Sequence, residues 1–252
     1  MAVPSTNTKL SDIQTEFGGS NPIQLSEYYS GGPLVPSGAP APNGPIPSSG
    51  QISVGQFRGA TNAGFVAATG GTISTDGDFK IHAFTGPGTF TVTDAGNSAG
   101  SNSIEYAVVG GGGSGGSRRG GGAGAGGFRS IFPSPATGGF PVSATGYPIT
   151  VGGGAAPAPG QPSAVRGISG SPSSGFGITS AGGGGGGTAS PNTTTRTGIA
   201  GGSGGGGSGG PGNGGPGPGA AGNTPPVSPP QGNSGGNGAG PAPSLREGGG
   251  GG

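Results

Sequence analysis

The sequence predicts a mainly β and irregular chain. A small antiparallel β-domain is followed by a bundle of polyglycine II helices, with little or no α-helix beyond single turns. Three observations carry this expectation. Of 252 residues, 71 are Gly and 27 are Pro, far above ordinary globular usage. Leu, Ile, Val and Phe together number 37, about 15%, which is below the level at which a chain builds a continuous apolar core. The glycines also fall in runs separated by short pieces with side chains fit for packing. Simple disorder asks for high net charge as well as low hydrophobicity, and here nine basic and eight acidic side chains leave +1.

Composition narrows the chemistry. Cysteine is absent, which removes disulfides, thiolate metal sites and cysteine nucleophiles. The first residues show no basic segment followed by an apolar core, and no stretch approaches the roughly 20 apolar residues of a membrane span. The expectation is synthesis in a cytoplasm with no membrane insertion.

Val109 separates two materials. The first 109 residues hold 17 Gly, 23 of the 37 large apolar residues, three bases and seven acids; the remainder holds 54 Gly, 14 of the 37, six Arg and one acid, Glu247. Within the first part, residues 1–63 read as a docking segment built on a repeat. Ile23-Gln-Leu-Ser-Glu-Tyr-Tyr-Ser-Gly aligns with Ile52-Ser-Val-Gly-Gln-Phe-Arg-Gly, and Leu10-Ser-Asp-Ile is a looser copy. Each unit reads as a short extended piece, a Ser or Gly cap, one aromatic-bearing turn and a Gly stop. A lone turn is unstable in water, so it needs a surface to pack on. Leu25, Tyr28, Tyr29, Val54 and Phe57 are the candidates for docking on a partner, the other reading being that the aromatics fill a local mini-core. The intervening residues 31–47 carry Pro at nearly every second or third place and read as an extended spacer.

Residues 64–109 read as strands. Asp76-Gly77 marks a turn, Phe79, Ile81 and Ala83 alternate with Lys80, His82 and Phe84, and Thr85-Gly-Pro-Gly88 is a second turn. Thr89 to Thr93 and Ile104 to Val109 alternate again. Three to five strands make a small sheet that needs a covering layer.

Residues 110–252 contain the glycine runs 110–116, 120–127, 182–187 and 201–210. A strict Gly-X-Y period is absent, so collagen is rejected. A flexible linker has no use for Phe128-Arg-Ser-Ile-Phe132, Tyr147-Pro-Ile-Thr-Val151, Phe176-Gly-Ile178 or Ser244-Leu-Arg246. Polyglycine in the extended threefold helix points its amides and carbonyls outward, where only neighbouring rods satisfy them. Lacking Cβ, such rods pack closely, at a high entropic cost that calls for anchors. The anchor candidates are Phe128, Phe132, Tyr147, Ile149, Val151, Phe176 and Ile178.

The string Ile104-Glu-Tyr-Ala-Val-Val-Gly-Gly-Gly-Gly, the run ending in Phe128-Arg129, Tyr-Pro-Ile-Thr-Val-Gly-Gly-Gly154 and the six glycines to Gly187 resemble the glycine-rich domain of bacteriophage tail-fibre proteins and adhesins. Leu10-Ser-Asp-Ile-Gln-Thr-Glu-Phe-Gly-Gly and the two Ile-x-(Leu/Val) units resemble N-terminal segments of phage structural proteins. The resemblance implies a virion location, at the tail or tail fibre. Its implied partners are other tail or baseplate proteins and a host outer-surface glycan or outer-membrane protein. It further implies assembly as a homo-oligomer, a trimer being one arrangement. In the related adhesins, loops at the end of a polyglycine sandwich touch the host. Loops 157–166, 191–196 and 223–231 are the corresponding contact candidates, through Gln161, Arg166, Asn192, Arg196, Asn223 and Gln231.

Other chemistry finds little purchase. One His and no Cys give no nucleophile and base pair, and His82 reads as a solvent-facing or hydrogen-bonded strand residue. The glycine runs contain no Gly-Lys-Ser/Thr, so no phosphate-binding P-loop is expected. Asp76 and Asp78 flank a turn glycine and read as turn residues, not metal ligands. No catalytic, cofactor or metal site is expected, and no enzyme. Arg118-Arg119-Gly and Phe128-Arg129 point towards single-stranded RNA, but the charge is spread thinly and nucleic acid is not the expected partner. Two further readings remain: a head-fibre, collar or decoration protein with a purely structural role, and a disordered Gly/Arg-rich RNA-associated chain.

Overall fold

The repeat at Ile23 and Ile52 folds into two matching 3-10 turns, Leu25–Tyr28 and Val54–Phe57. A computed structural model describes residues 2–131, 139–160, 163–210 and 215–239. The chain divides into two units. The first comprises Met1–Thr69, Thr91–Ile104 and Ala136–Gly146; the second comprises Gly70–Phe90, Glu105–Pro135 and Tyr147–Gly252. The residues read as a separate β-domain, 64–109, are shared between them. Helix is confined to α1 (Leu10–Phe17), the 3-10 turns and the single turn α2 (Thr193–Arg196) among the described residues. The strands are short: β1 (Val66–Thr69), β2 (Thr72–Asp76), β3 (Phe79–Ala83), β4 (Gly88–Ala95), β5 (Ser103–Ile104), β6 (Ala107–Val109), β7 (Phe128–Ser130), β8 (Phe140–Pro141), β9 (Gly146–Ile149), β10 (Ser173–Gly175) and β11 (Ile178–Ser180). They form small antiparallel sheets, and the rest of the described residues are mostly irregular.

In the first unit, the loose copy Leu10-Ser-Asp-Ile becomes a two-turn helix where the sequence predicted one turn. Its start is fixed by the Lys9 amide, which donates to Asp12 Oδ2 at 2.7 Å. Ile13 and Phe17, four apart and so on one face, are buried, and Gly18 at φ 81° ends the helix. Phe57 takes both Phe17 and Tyr28 edge-on, with ring centroids 6.0 and 6.2 Å away. Val3, Val35, Ile46 and Ala60 complete this core. The segment read as an extended spacer therefore wraps the core and places Val35 and Ile46 in it.

This corrects the docking reading. Tyr28 and Phe57 are 0% exposed, so the repeat spends its aromatics on its own interior. Leu25 and Val54 are half-buried against the same core. Tyr29 is half-buried, with its hydroxyl donating to Gly50 O. Tyr28 donates to Gly18 O at 2.8 Å, and burial, with the Glu27 charge adding, raises its phenol above the usual range.

β4 pairs antiparallel with β1, from Val66 opposite Ala95 to Thr69 opposite Thr91, with a register shift between Ala67 and Ala68. β5 pairs with β8. Asn97 fastens this edge: its Oδ1 accepts from Gly64 N at 3.0 Å and its Nδ2 donates to Asn62 O at 2.7 Å.

In the second unit, β2 and β3 form a hairpin around Gly77-Asp78, with Gly77 at φ 55°. His82 Nδ1 lies 2.8 Å from Gly70 O, the hydrogen-bonded strand residue of the sequence reading. β6 pairs with β7 and β10 with β11.

Beyond residue 109 the glycine runs are ordered by main-chain hydrogen bonds with a period of three. Gly110, Gly113 and Gly116 donate to Gly127, Gly124 and Gly121 at 2.9, 3.0 and 3.1 Å. Gly111, Ser114 and Ser117 donate in another direction, to Ser171, Ile168 and Val165, each at 2.9 Å. The carbonyls of Gly111 and Ser114 accept from Gly183 and Gly186. Three residues per turn is the repeat of the extended threefold helix, and it aims successive amides at different neighbours. The run Gly182–Gly187 exchanges bonds with residues 111–114, 121–124, 167–170, 199 and 202–206. A Cβ at any of these six glycines would collide with a neighbouring carbonyl, that of Gly170, Gly124, Ile199, Gly167, Gly121 or Arg196 in turn. Residues 201–210 are buried throughout although none carries more than a serine side chain.

Candidate functional site

Long side chains are few in the lattice, and some stand where rods turn. At one such place, residues 191–198 leave the central run and return beside it. Asn192 Oδ1 accepts from Thr194 N at 2.9 Å, starting α2, and Thr188 N donates to Thr195 O at 2.8 Å. Arg196 O then accepts from Ser208 N at 2.9 Å. A groove of about 440 Å³ opens here, lined by Arg166, Thr193, Thr194, Arg196, Thr197, Pro216 and Pro218.

Both arginines of this groove are fixed by main-chain carbonyls. Arg166 donates from Nε to Thr197 O at 2.8 Å and from Nη2 to Gly198 O. Arg196 donates from Nη1 to Gly215 O. Arg166 is half-exposed, and burial lowers its pKa from the ordinary value, as desolvation of a cation does. Arg196 is 8% exposed and its Nε is buried with no partner among the described residues. Past residue 109 the one acidic side chain is Glu247, which lies outside the described residues. The groove thus combines two oriented cations with exposed threonines, an arrangement suited to an oxyanion.

The sequence candidates distribute unevenly. Arg166 and Arg196 come together at the groove, and Asn192 caps α2, whose Thr193, Thr194 and Arg196 line it. Gln231 is not a contact residue: it is 3% exposed, its Oε1 accepts from Ala181 N at 2.8 Å and its Nε2 donates to Pro225 O at 2.9 Å. Asn223, at φ 51°, accepts from Val227 N and Gln231 N and donates to Val227 O, so it shapes the same loop from within. Gln161 lies outside the described residues, as does the anchor Phe132. Thr193 and Thr194 fall in the predicted contact loop 191–196 without having been singled out, and Thr197, just past it, was missed.

The anchors form a second feature. Phe176 sits at φ 55° in the β10–β11 turn, a conformation disfavoured for a bulky side chain. Tyr106 stacks on it at 6.0 Å, Tyr147 lies tilted at 5.4 Å and Phe90 meets it edge-on at 5.6 Å. Tyr147, Phe176 and Ile178 line a smaller hollow of about 280 Å³. Ile149 and Val151 are half-buried. Phe128 departs from its expected role: its ring is 55% exposed while its amide donates to Gln231 O at 2.8 Å, so the backbone does the anchoring.

Residues 84–252 match the model of a family described as a glycine-rich domain. That is well over half of the chain, and the protein belongs to this family. No curated protein and no solved structure matches it.

Proposed function

We propose that this member of the glycine-rich domain family is a non-enzymatic phage virion protein of the tail, baseplate or tail fibre. On this reading the first unit attaches to the particle and the glycine-rich unit meets the host surface. The observation that carries the reading is the three-residue lattice. Buried main chain, bonded to several neighbouring rods, makes a stiff frame that carries few long side chains. Such a frame holds loops for recognition without a hydrophobic core. The groove at Arg166 and Arg196 is the contact surface in this reading. Attachment falls to the folded first unit as a whole, since Tyr28 and Phe57 of the repeat are interior.

The test is immunogold labelling of intact particles with antibody to the full chain, alongside binding of the purified full chain to host cells. Label at the tail, with chain that binds cells and blocks adsorption, is the expected result. Label at the head or collar, or particles without label, would overturn it.

A further inference from the structure

We propose that the groove between Arg166 and Arg196 is an oxyanion site that takes one carboxylate or phosphate group carried on a surface sugar. The proposal names a ligand class for the adhesion reading and rests on that reading for the anion's source, while the site itself stands on geometry.

The guanidinium groups are used unequally. A guanidinium binds an oxyanion best through two adjacent N–H groups on one edge. Arg166 has given such an edge, Nε and Nη2, to the carbonyls of Thr197 and Gly198. Arg196 has given only Nη1, to Gly215 O, and its Nε is buried with no partner among the described residues. A buried cation with a donor left unpaired is costly, and the charge of an anion in the groove offsets that cost. The second buried side-chain atom without a partner, Ser208 Oγ, belongs to the residue whose amide donates to Arg196 O. Both unpartnered atoms therefore occur in residues bonded to one another beside the groove.

Three features fit a sugar-borne anion. Main-chain bonds orient both arginines before any ligand arrives, so little side-chain ordering remains to oppose binding. The exposed Thr193 and Thr194 add neutral partners for hydroxyls beside the charge. Pro216 and Pro218 give part of the lining an apolar character suited to a sugar's C–H face.

The experiment uses the full chain with ¹⁵N-labelled arginine and follows the side-chain Nε–H resonances during titration with inorganic phosphate, glucuronate and glucose. The expected result is saturable shifts of Arg166 and Arg196 with phosphate and glucuronate, none with glucose, and none at Arg58, Arg118 or Arg119. Whichever of phosphate and glucuronate binds more tightly identifies a phosphorylated or an acidic sugar as the source. R166K should weaken binding at least tenfold, and R129K should leave it unchanged. Because R196K removes a buried side chain, T194A serves as the second variant; it should weaken glucuronate several-fold without changing the chain's melting temperature. Uniform shifts of all arginines, an equal response to glucose, or tighter binding of a single-stranded RNA oligonucleotide than of either anion would overturn the site. Two further outcomes separate the site from the adhesion reading. Chain that binds cells equally well as wild type and R166K removes the site and leaves adhesion; saturable anion binding by chain that ignores cells supports the site and removes adhesion.

Discussion

If main-chain rods hold the second unit together, a single methyl group in the central run should damage it more than an aromatic deletion elsewhere in that unit. Gly184→Ala is the sharpest case. Its Cβ would overlap the Ile199 carbonyl oxygen, which is backbone and has no rotamer to escape into. An overlap this deep displaces both rods: on one side it disturbs Gly205 N to Ile199 O at 2.9 Å and Ile199 N to Gly185 O at 2.7 Å, and on the other Gly184 N to Ser203 O at 2.9 Å and Gly124 N to Gly184 O at 2.8 Å. Loss of these four bonds at about 1 kcal/mol each costs ~4 kcal/mol. The reduced freedom of the unfolded chain returns about 0.5–1 kcal/mol, leaving a net loss of about 3 kcal/mol. Gly153→Ala is the control, since a Cβ there meets nothing within 4 Å and the residue is exposed. It should be neutral or slightly stabilising. For a unit of this size, 3 kcal/mol lowers the melting temperature by about 6–12 °C. Amide exchange of residues 183–187 and 201–208 should also accelerate, about a hundredfold if they open together. Equal stability of the two alanine variants, or fast exchange of these amides in the wild type, would refute the lattice account.

Phe57→Ala deletes the ring at the centre of the first core and should cost about 3–5 kcal/mol, seen as unfolding of residues 2–69 by exchange while the glycine amides keep their protection. Gln231→Ala leaves Ala181 N without its acceptor and should cost about 1–3 kcal/mol, measured by chemical denaturation, whereas exposed Asn192→Ala should cost about 1 kcal/mol as a lost cap. Alkaline denaturation should involve Tyr28. Its folded pKa is raised, so the folded state keeps a proton that the unfolded chain releases. Its contribution is complete below the unfolded tyrosine value of about 10 and declines as pH rises through the folded value. Tyr28→Phe should flatten that part of the stability profile against pH.

The sequence made some elements readable and hid others for physical reasons. The two 3-10 turns followed from an aligned repeat, because a local motif with its own cap and stop folds the same way twice. What the aromatics of that repeat pack against is not local information. Tyr28 meets Phe57 only because the Pro-rich stretch folds back and closes the core with Val35 and Ile46. Likewise, the alternation of Phe79, Ile81 and Ala83 revealed a strand without identifying its partner; β3 pairs with β2, while β4 pairs with β1. The glycine runs announced rods, but a run without side chains has no register of its own. The register is set at the ends, and so Arg166 and Arg196 could be suspected while the roles of Gln231 and Asn223 could not.

That division explains why long side chains persist in so glycine-rich a chain. Inside the lattice the amides and carbonyls of the glycine runs bond to neighbouring rods, and a side chain is an obstruction. At a rod's end the next neighbour is missing, and a buried carbonyl or amide there needs a substitute. Arg166 supplies one to Thr197 and Gly198, Gln231 to Ala181, and Arg196 to Gly215. The amide group of Gln231 serves the main chain with both ends, its Oε1 accepting from Ala181 N and its Nε2 donating to Pro225 O. Arg196 differs in leaving a buried Nε without a partner in a residue that lines an open groove. Capping alone would be served by a shorter neutral donor at lower desolvation cost, so the retained charge is the feature that a ligand explains and the lattice does not.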